Sequence, residues 1–106
     1  MALPHASPLE TIDLNAWPEA TRSTSLIKTP GLQLMRLVLP ADQCLPEHQV
    51  PGEVVIQCLS GCAVVSAGGR ECNLRLGQLV ALPPTAPHAV RAVDDTVLLV
   101  TVLLGF

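Results

Sequence analysis

From Ser25 to Leu104 the chain runs in short stretches of Val, Leu and Ile separated by proline, glycine and aspartate. Within them, apolar and polar residues alternate or the run is apolar throughout, as in strands with one or both faces buried. The pattern predicts strands over Ser25–Thr29, Leu32–Leu39, Cys44–His48, Val54–Leu59, Cys62–Ala67, Arg70–Leu74, Leu79–Leu82, His88–Ala92 and Thr96–Leu104. Pro30-Gly31, Pro51-Gly52, Ser60-Gly61, Gly68-Gly69 and Asp94-Asp95 supply the turn chemistry between them. Gly68-Gly69 is the strongest of these, because a two-residue Gly-Gly loop suits a primed turn that matches strand twist. From Ala20 onward no window places apolar residues at helical spacing. Leu9 to Ala20, with Thr11 as a cap and Trp17-Pro18 as a stop, reads as one short turn or an edge strand.

So many short antiparallel strands need two packed sheets or a closed barrel, since one open sheet leaves an apolar face wet. Val54-Val55-Ile56 and Leu98-Leu99-Val100 are apolar on both parities, so both of their faces need cover. The expected organisation is all-β: one barrel or sandwich domain over residues 23–106, after an extension over residues 1–22 that is partly disordered or forms a short edge element.

Composition narrows the partners. Of 106 residues 49% are apolar and 14% charged, with a formal charge of -3, and the Lys and Arg residues stand singly, so no basic stripe exists to meet nucleic-acid phosphates. Nothing approaches the ~20 apolar residues of a membrane-spanning helix, and Met1 to Pro8 lack the basic and apolar regions of a secretory signal. The expectation is a cytoplasmic protein with neither nucleic acid nor membrane as partner. Cys44, Cys58, Cys62 and Cys72 fit no zinc spacing and read as reduced, buried small hydrophobes. A chain this small buries only about two-thirds of its unfolded surface, which makes self-association a natural supplement.

Two stretches carry a likeness to a known family. Pro46 to Gly61 (PEHQVPGEVVIQCLSG) resembles the first cupin motif, H-x-H-x(3,4)-E-x(6)-G, and Gly77 to His88 (GQLVALPPTAPH) resembles the second, G-x(5)-P-x-G-x(2)-H-x(3)-N. The chain is thus similar to small single-domain cupins of the RmlC-like superfamily over roughly Ser25 to Leu104. The resemblance implies the cupin double-stranded β-helix, a jelly-roll-like barrel of antiparallel strands open at one end and commonly a homodimer. It also implies a divalent transition metal (Zn, Fe, Mn or Ni) in the barrel, with His48 and His88 at ligand positions. Val50 stands where the second histidine would be and Val54 where the glutamate would be; Thr85 and Ala92 replace the glycine and asparagine of the second motif.

A cation in an open site needs three or four N or O ligands to offset its lost hydration, and two imidazoles make a weak site. Side chains alternate along a strand, so His48, Val50, Val54, Ile56 and Cys58 share one parity, and with His88 they form the expected cavity lining. Glu53 falls on the other parity, but a bulge at Pro51-Gly52 would swing it toward His48 as a third ligand. Cys58 is the other candidate, against its reading as a packed core thiol. His5 lies in a tail rich in Pro and Ala and reads as disordered. Arg36, Arg70, Arg75 and Arg91 read as solvent-facing strand charges, with Arg36 alternatively at the mouth or an interface, and Gln49, Gln57 and Gln78 as solvated polar residues.

No nucleophile elbow, phosphate loop or facing carboxylate pair is present. The leading functional expectation is a barrel binding a small, uncharged or weakly acidic molecule against His48 and His88. The alternatives are a metal-dependent oxygenase or isomerase using His48, His88 and Glu53, and an interaction module with an inert cavity.

Overall fold

The computed structural model describes residues 5–14 and 23–104. Among these residues nine strands follow one another: β1 (Thr24–Lys28), β2 (Leu32–Leu39), β3 (Cys44–His48), β4 (Val54–Ser60), β5 (Cys62–Ala67), β6 (Arg70–Arg75), β7 (Leu79–Leu82), β8 (His88–Ala92) and β9 (Thr96–Leu103). Each lies within one residue of its expected bounds. Among the described residues no helix is long and apolar enough to cross a membrane.

The strands form two antiparallel sheets, β1-β2-β9-β4-β7 and β3-β8-β5-β6, packed face to face as the doubly apolar strands demand. Gly68 and Gly69 take φ values of +59° and +75° between the paired Ala67 and Arg70. Positive φ at both central residues is the requirement of a primed two-residue turn. Between the sheets, Met35, Val100 and Ile56 stand side by side across β2, β9 and β4, and so do Leu37, Leu98 and Cys58. From the other sheet Val65 and Val90 face them as partners, within one continuous apolar core. Ile56, Leu98, Thr96 and Cys58 are the largest fully buried side chains. Full burial of one such aliphatic side chain is worth about 1.5–3 kcal/mol.

One end of the sandwich is tied shut by a threonine. The Thr96 hydroxyl accepts the Cys62 N–H at 3.2 Å and lies 2.9 Å from the Cys62 carbonyl and 2.8 Å from that of Asp94, to one of which it donates. Asp95 Oδ1 accepts the Ala41 N–H at 2.9 Å. These bonds link the β9 entry to the β4–β5 and β2–β3 turns and satisfy backbone groups that would otherwise be stranded.

Several expectations need correction. Arg36 is buried, only 5% exposed, because Met35 and Leu37 turn inward and Arg36 pairs on the opposite face with Leu99 of β9 and Thr24 of β1. Burial holds its guanidinium below its ordinary value. His5, expected in a disordered tail, has Nε2 2.9 Å from Ser25 Oγ, and the next residue donates its N–H to Leu26 O at 3.1 Å. A turn closes at Ser7–Glu10, ahead of the Thr11 cap expected within Leu9–Ala20: the Glu10 N–H donates to Ser7 O and Glu10 Oε1 accepts the Ser7 N–H. Trp17 and Pro18 lie outside the described residues.

Only one of the four thiols is buried: Cys58 is enclosed, Cys62 is half-buried, and Cys44 and Cys72 are exposed. Burial, with Cys62 nearby, raises the Cys58 thiol above its ordinary 9.0. Iodoacetamide is therefore expected to modify Cys44 and Cys72 of the folded protein first and Cys58 only on unfolding, as read by mass spectrometry of digests. The same shift makes stability pH-dependent. The folded chain keeps this thiol neutral where the unfolded chain ionises it, so its contribution is intact below about pH 9 and declines as pH climbs further.

Candidate ligand-binding site

At the end opposite the Thr96 staple the two sheets part around a cavity of about 100 Å³. Room for a water needs roughly 10–15 Å³ on this scale, so the space suits a molecule of about seven to ten heavy atoms. Twelve residues line it. Ten are apolar, among them Met35 and Leu37 of β2, Val54 and Ile56 of β4, and Val50. The other two are His48 and His88.

The histidines are brought together by strand pairing. Leu45 faces Val90 across β3 and β8, and the register then slips by one residue so that His48 faces His88. The extra residue lies at Pro46-Glu47 on edge strand β3, where proline removes no ladder hydrogen bond. Leu45 and His48 both line the cavity although they are an odd number of residues apart, and the bulge is what allows it. The ring centroids are 4.3 Å apart and the ring planes are tilted by 56°. His88 is buried while His48 sits exposed at the mouth.

Each ring is fixed from behind by the backbone carbonyl two residues before it. His48 Nδ1 lies 3.2 Å from Pro46 O, and His88 Nδ1 lies 3.0 Å from Ala86 O. A carbonyl oxygen only accepts, so both Nδ1 atoms carry the proton, and each neutral ring keeps Nε2 as a lone-pair acceptor.

The turn before His88 is held against the mouth. The Thr85 N–H donates to Val50 O at 2.9 Å, and Thr85 itself adopts φ +63°. This left-handed conformation explains why the cupin pattern has glycine at that position, since a β-branched residue is strained there. Thr85→Gly is expected to stabilise the domain by about 0.5–1 kcal/mol, as relief of strain outweighs the freedom gained by the unfolded chain; a urea midpoint at or below the parent's contradicts it.

Of the residues expected around the cavity, His48, Val50, Val54, Ile56 and His88 are brought together there. Cys58 is not: it lies deeper, with its thiol 3.3 Å from Ser60 O and 3.5 Å from Gly61 O. Glu53 does not join them either. No slip at Pro51-Gly52 turns it inward, because Val54 faces the core from the first residue of β4, and Glu53 is exposed with its carbonyl accepting the Leu103 N–H. Among the described residues no three His, Cys, Asp or Glu side chains converge as metal ligands. The donor set thus does not fit the three-ligand metal site that the cupin likeness implies, and Val50 and Val54 are the reason. Met35, Leu37, Leu45, Val90, Leu98, Val100 and Val102 complete the wall. Strand alternation inside β2, β8 and β9 is the signal that marks most of them in the sequence.

Residues 36–103 match the family described as the AraC-like ligand binding domain. The chain belongs to this family, a branch of the cupins. No curated protein matches the sequence. Solved structures similar to this AraC-like domain include a conserved protein of unknown function from Streptococcus pyogenes, 22% identical, with a TM-score of 0.80 over 98% of this chain and 95% of that one. A cupin superfamily protein from Desulfitobacterium hafniense is 18% identical, with a TM-score of 0.81 over 98% and 99% of the two chains. A DMSP lyase from Ruegeria pomeroyi is 27% identical, with a TM-score of 0.70 over 78% of this chain and 46% of the lyase. The AraC-like domain therefore has the all-β cupin fold.

Proposed function

We propose that this domain binds one small, largely apolar organic molecule inside the barrel and works as a ligand-binding module. The observation that carries the reading is the histidine pair: two imidazoles 4.3 Å apart are, among the described residues, the only polar side chains in an otherwise aliphatic wall. A few convergent polar groups in an apolar, largely preformed pocket are the usual anatomy of a small-molecule site. Membership of a ligand-binding family supports the same reading. With so few ligand atoms to enclose, the expected affinities are modest, on the order of millimolar to micromolar. The metal-dependent oxygenase or isomerase reading lacks a third protein ligand and is not carried further.

Two measurements test the proposal. A thermal-shift screen of small organic molecules should find binders that raise the melting temperature with concentration, and Val50→Phe, which fills the mouth, should abolish the effect. Elemental analysis of untagged protein should find no stoichiometric transition metal. One equivalent of metal that disappears in the His48→Ala, His88→Ala double variant would overturn the reading in favour of a metalloenzyme.

A further inference from the structure

We propose that the ligand is a neutral hydrogen-bond donor, a small alcohol or phenol with a compact hydrocarbon body, and that the cavity discriminates against ketones, esters and carboxylates of the same size. This rests on the reading of the barrel as a ligand site and specifies its chemistry.

The argument is one of donor and acceptor counting. Both Nδ1–H groups are spent on backbone carbonyls, Pro46 O for His48 and Ala86 O for His88. In the neutral rings both remaining nitrogens are acceptors. Among the described residues no other lining side chain carries an N–H or O–H: the rest are Met, Leu, Val and Ile from β2, β3, β4, β8, β9 and the β3–β4 loop. Backbone donors at the turn are also engaged, the Thr85 N–H with Val50 O and the Ala86 N–H with Pro83 O.

A ligand hydroxyl gives a hydrogen to Nε2 and leaves its hydrocarbon body against the aliphatic wall. A ketone or ester of equal shape turns its oxygen lone pairs toward two nitrogen lone pairs and leaves both acceptors unmet, the situation in which polar sites discriminate most strongly. A carboxylate adds a charge, and among the described residues no Arg or Lys lines the cavity to receive it.

The test uses probes matched in size: cyclohexanol, cyclohexanone and methylcyclohexane, titrated at pH 8 into the full chain and followed by NMR shifts of the lining methyl groups. Cyclohexanol is expected to bind about tenfold more tightly than cyclohexanone, as for one hydrogen bond. In His48→Phe and His88→Phe the ring volume stays and one of the two acceptors goes, so the preference should weaken, and in the double variant, which keeps neither acceptor, it should shrink toward unity. His88 is buried, so each variant's melt is recorded first, and exposed His48 supplies the variant least exposed to misfolding. A ¹⁵N histidine spectrum of the parent should show both rings as the Nδ1–H tautomer.

Binding by none of the probes overturns the reading of the barrel as a ligand site. Binding with the ketone equal to or tighter than the alcohol overturns the donor assignment alone. So does an alcohol preference that survives in the double Phe variant, or an Nε2–H tautomer at either ring.

Discussion

Gly61→Ala is expected to cost about 3–5 kcal/mol. Gly61 sits at φ +82°, where an L side chain already costs roughly 1–2 kcal/mol. Its missing Cβ would lie 2.7 Å from Thr96 Oγ1 and 2.8 Å from Thr96 Cα, and closer still to Asp95 O. These are the atoms that close the sandwich: the Thr96 hydroxyl bonds the Cys62 backbone. Backbone cannot withdraw as the end of a flexible side chain can, so the β4–β5 turn or the β9 entry must move and the staple must break. At 4–8 °C per kcal/mol for a domain of this size, the melting temperature should fall by about 12–40 °C. Gly68→Ala is the control. Gly68 also has positive φ, +59°, but nothing lies within 4 Å of its added Cβ, so only the conformational penalty of about 1 kcal/mol applies. Equal losses in the two variants would show that the crowding at Thr96 is unimportant. This glycine ends the first cupin motif, and the crowding against Thr96 is a reason for its place there.

The double variant Val50→His, Val54→Glu is expected to convert the cavity into a metal site. Val50 and Val54 line the same cavity as His48 and His88, so four positions converge but only two carry ligand atoms. Adding an imidazole and a carboxylate supplies the three or four N and O ligands that a Zn²⁺, Ni²⁺ or Mn²⁺ ion needs. Val54 is 2% exposed, and without metal the new carboxylate is buried against aliphatic neighbours, so the metal-free variant should melt well below the parent. Metal at about 1,000 times its dissociation constant would return roughly 4 kcal/mol. Gel filtration followed by elemental analysis should find about one equivalent of metal in the variant and none in the parent. A folded variant that retains no metal would mean that the four positions do not converge closely enough.

Nearly all of the strand plan is legible in the sequence. Period-two patterning and turn residues act locally: Gly68-Gly69 dictates a reversal whatever surrounds it, and Leu98-Leu99-Val100 cannot leave either face in water. Half of the candidate site is legible for the same reason, since Val54 and Ile56 share a face by alternation alone. Arg36 was misread because charge usually signals solvent, whereas its position on a covered face depends on strands far away in sequence. The buried Cys58 was placed too near the mouth, because parity says which face a residue is on and not how deep along the barrel it lies.

The sequence by itself determined the all-β class, the nine strands, the primed turn and the apolar character of the interior, since each follows from interactions between near neighbours in the chain. Tertiary structure alone decided which residues meet. The one-residue slip at Pro46-Glu47 turns His48 inward opposite His88, while unbroken parity from the first residue of β4 leaves Glu53 outside. A side-chain period of two means that a single residue of slip reverses every face beyond it. Such slips are set by pairing between strands distant in sequence, and pairing is a property of the fold.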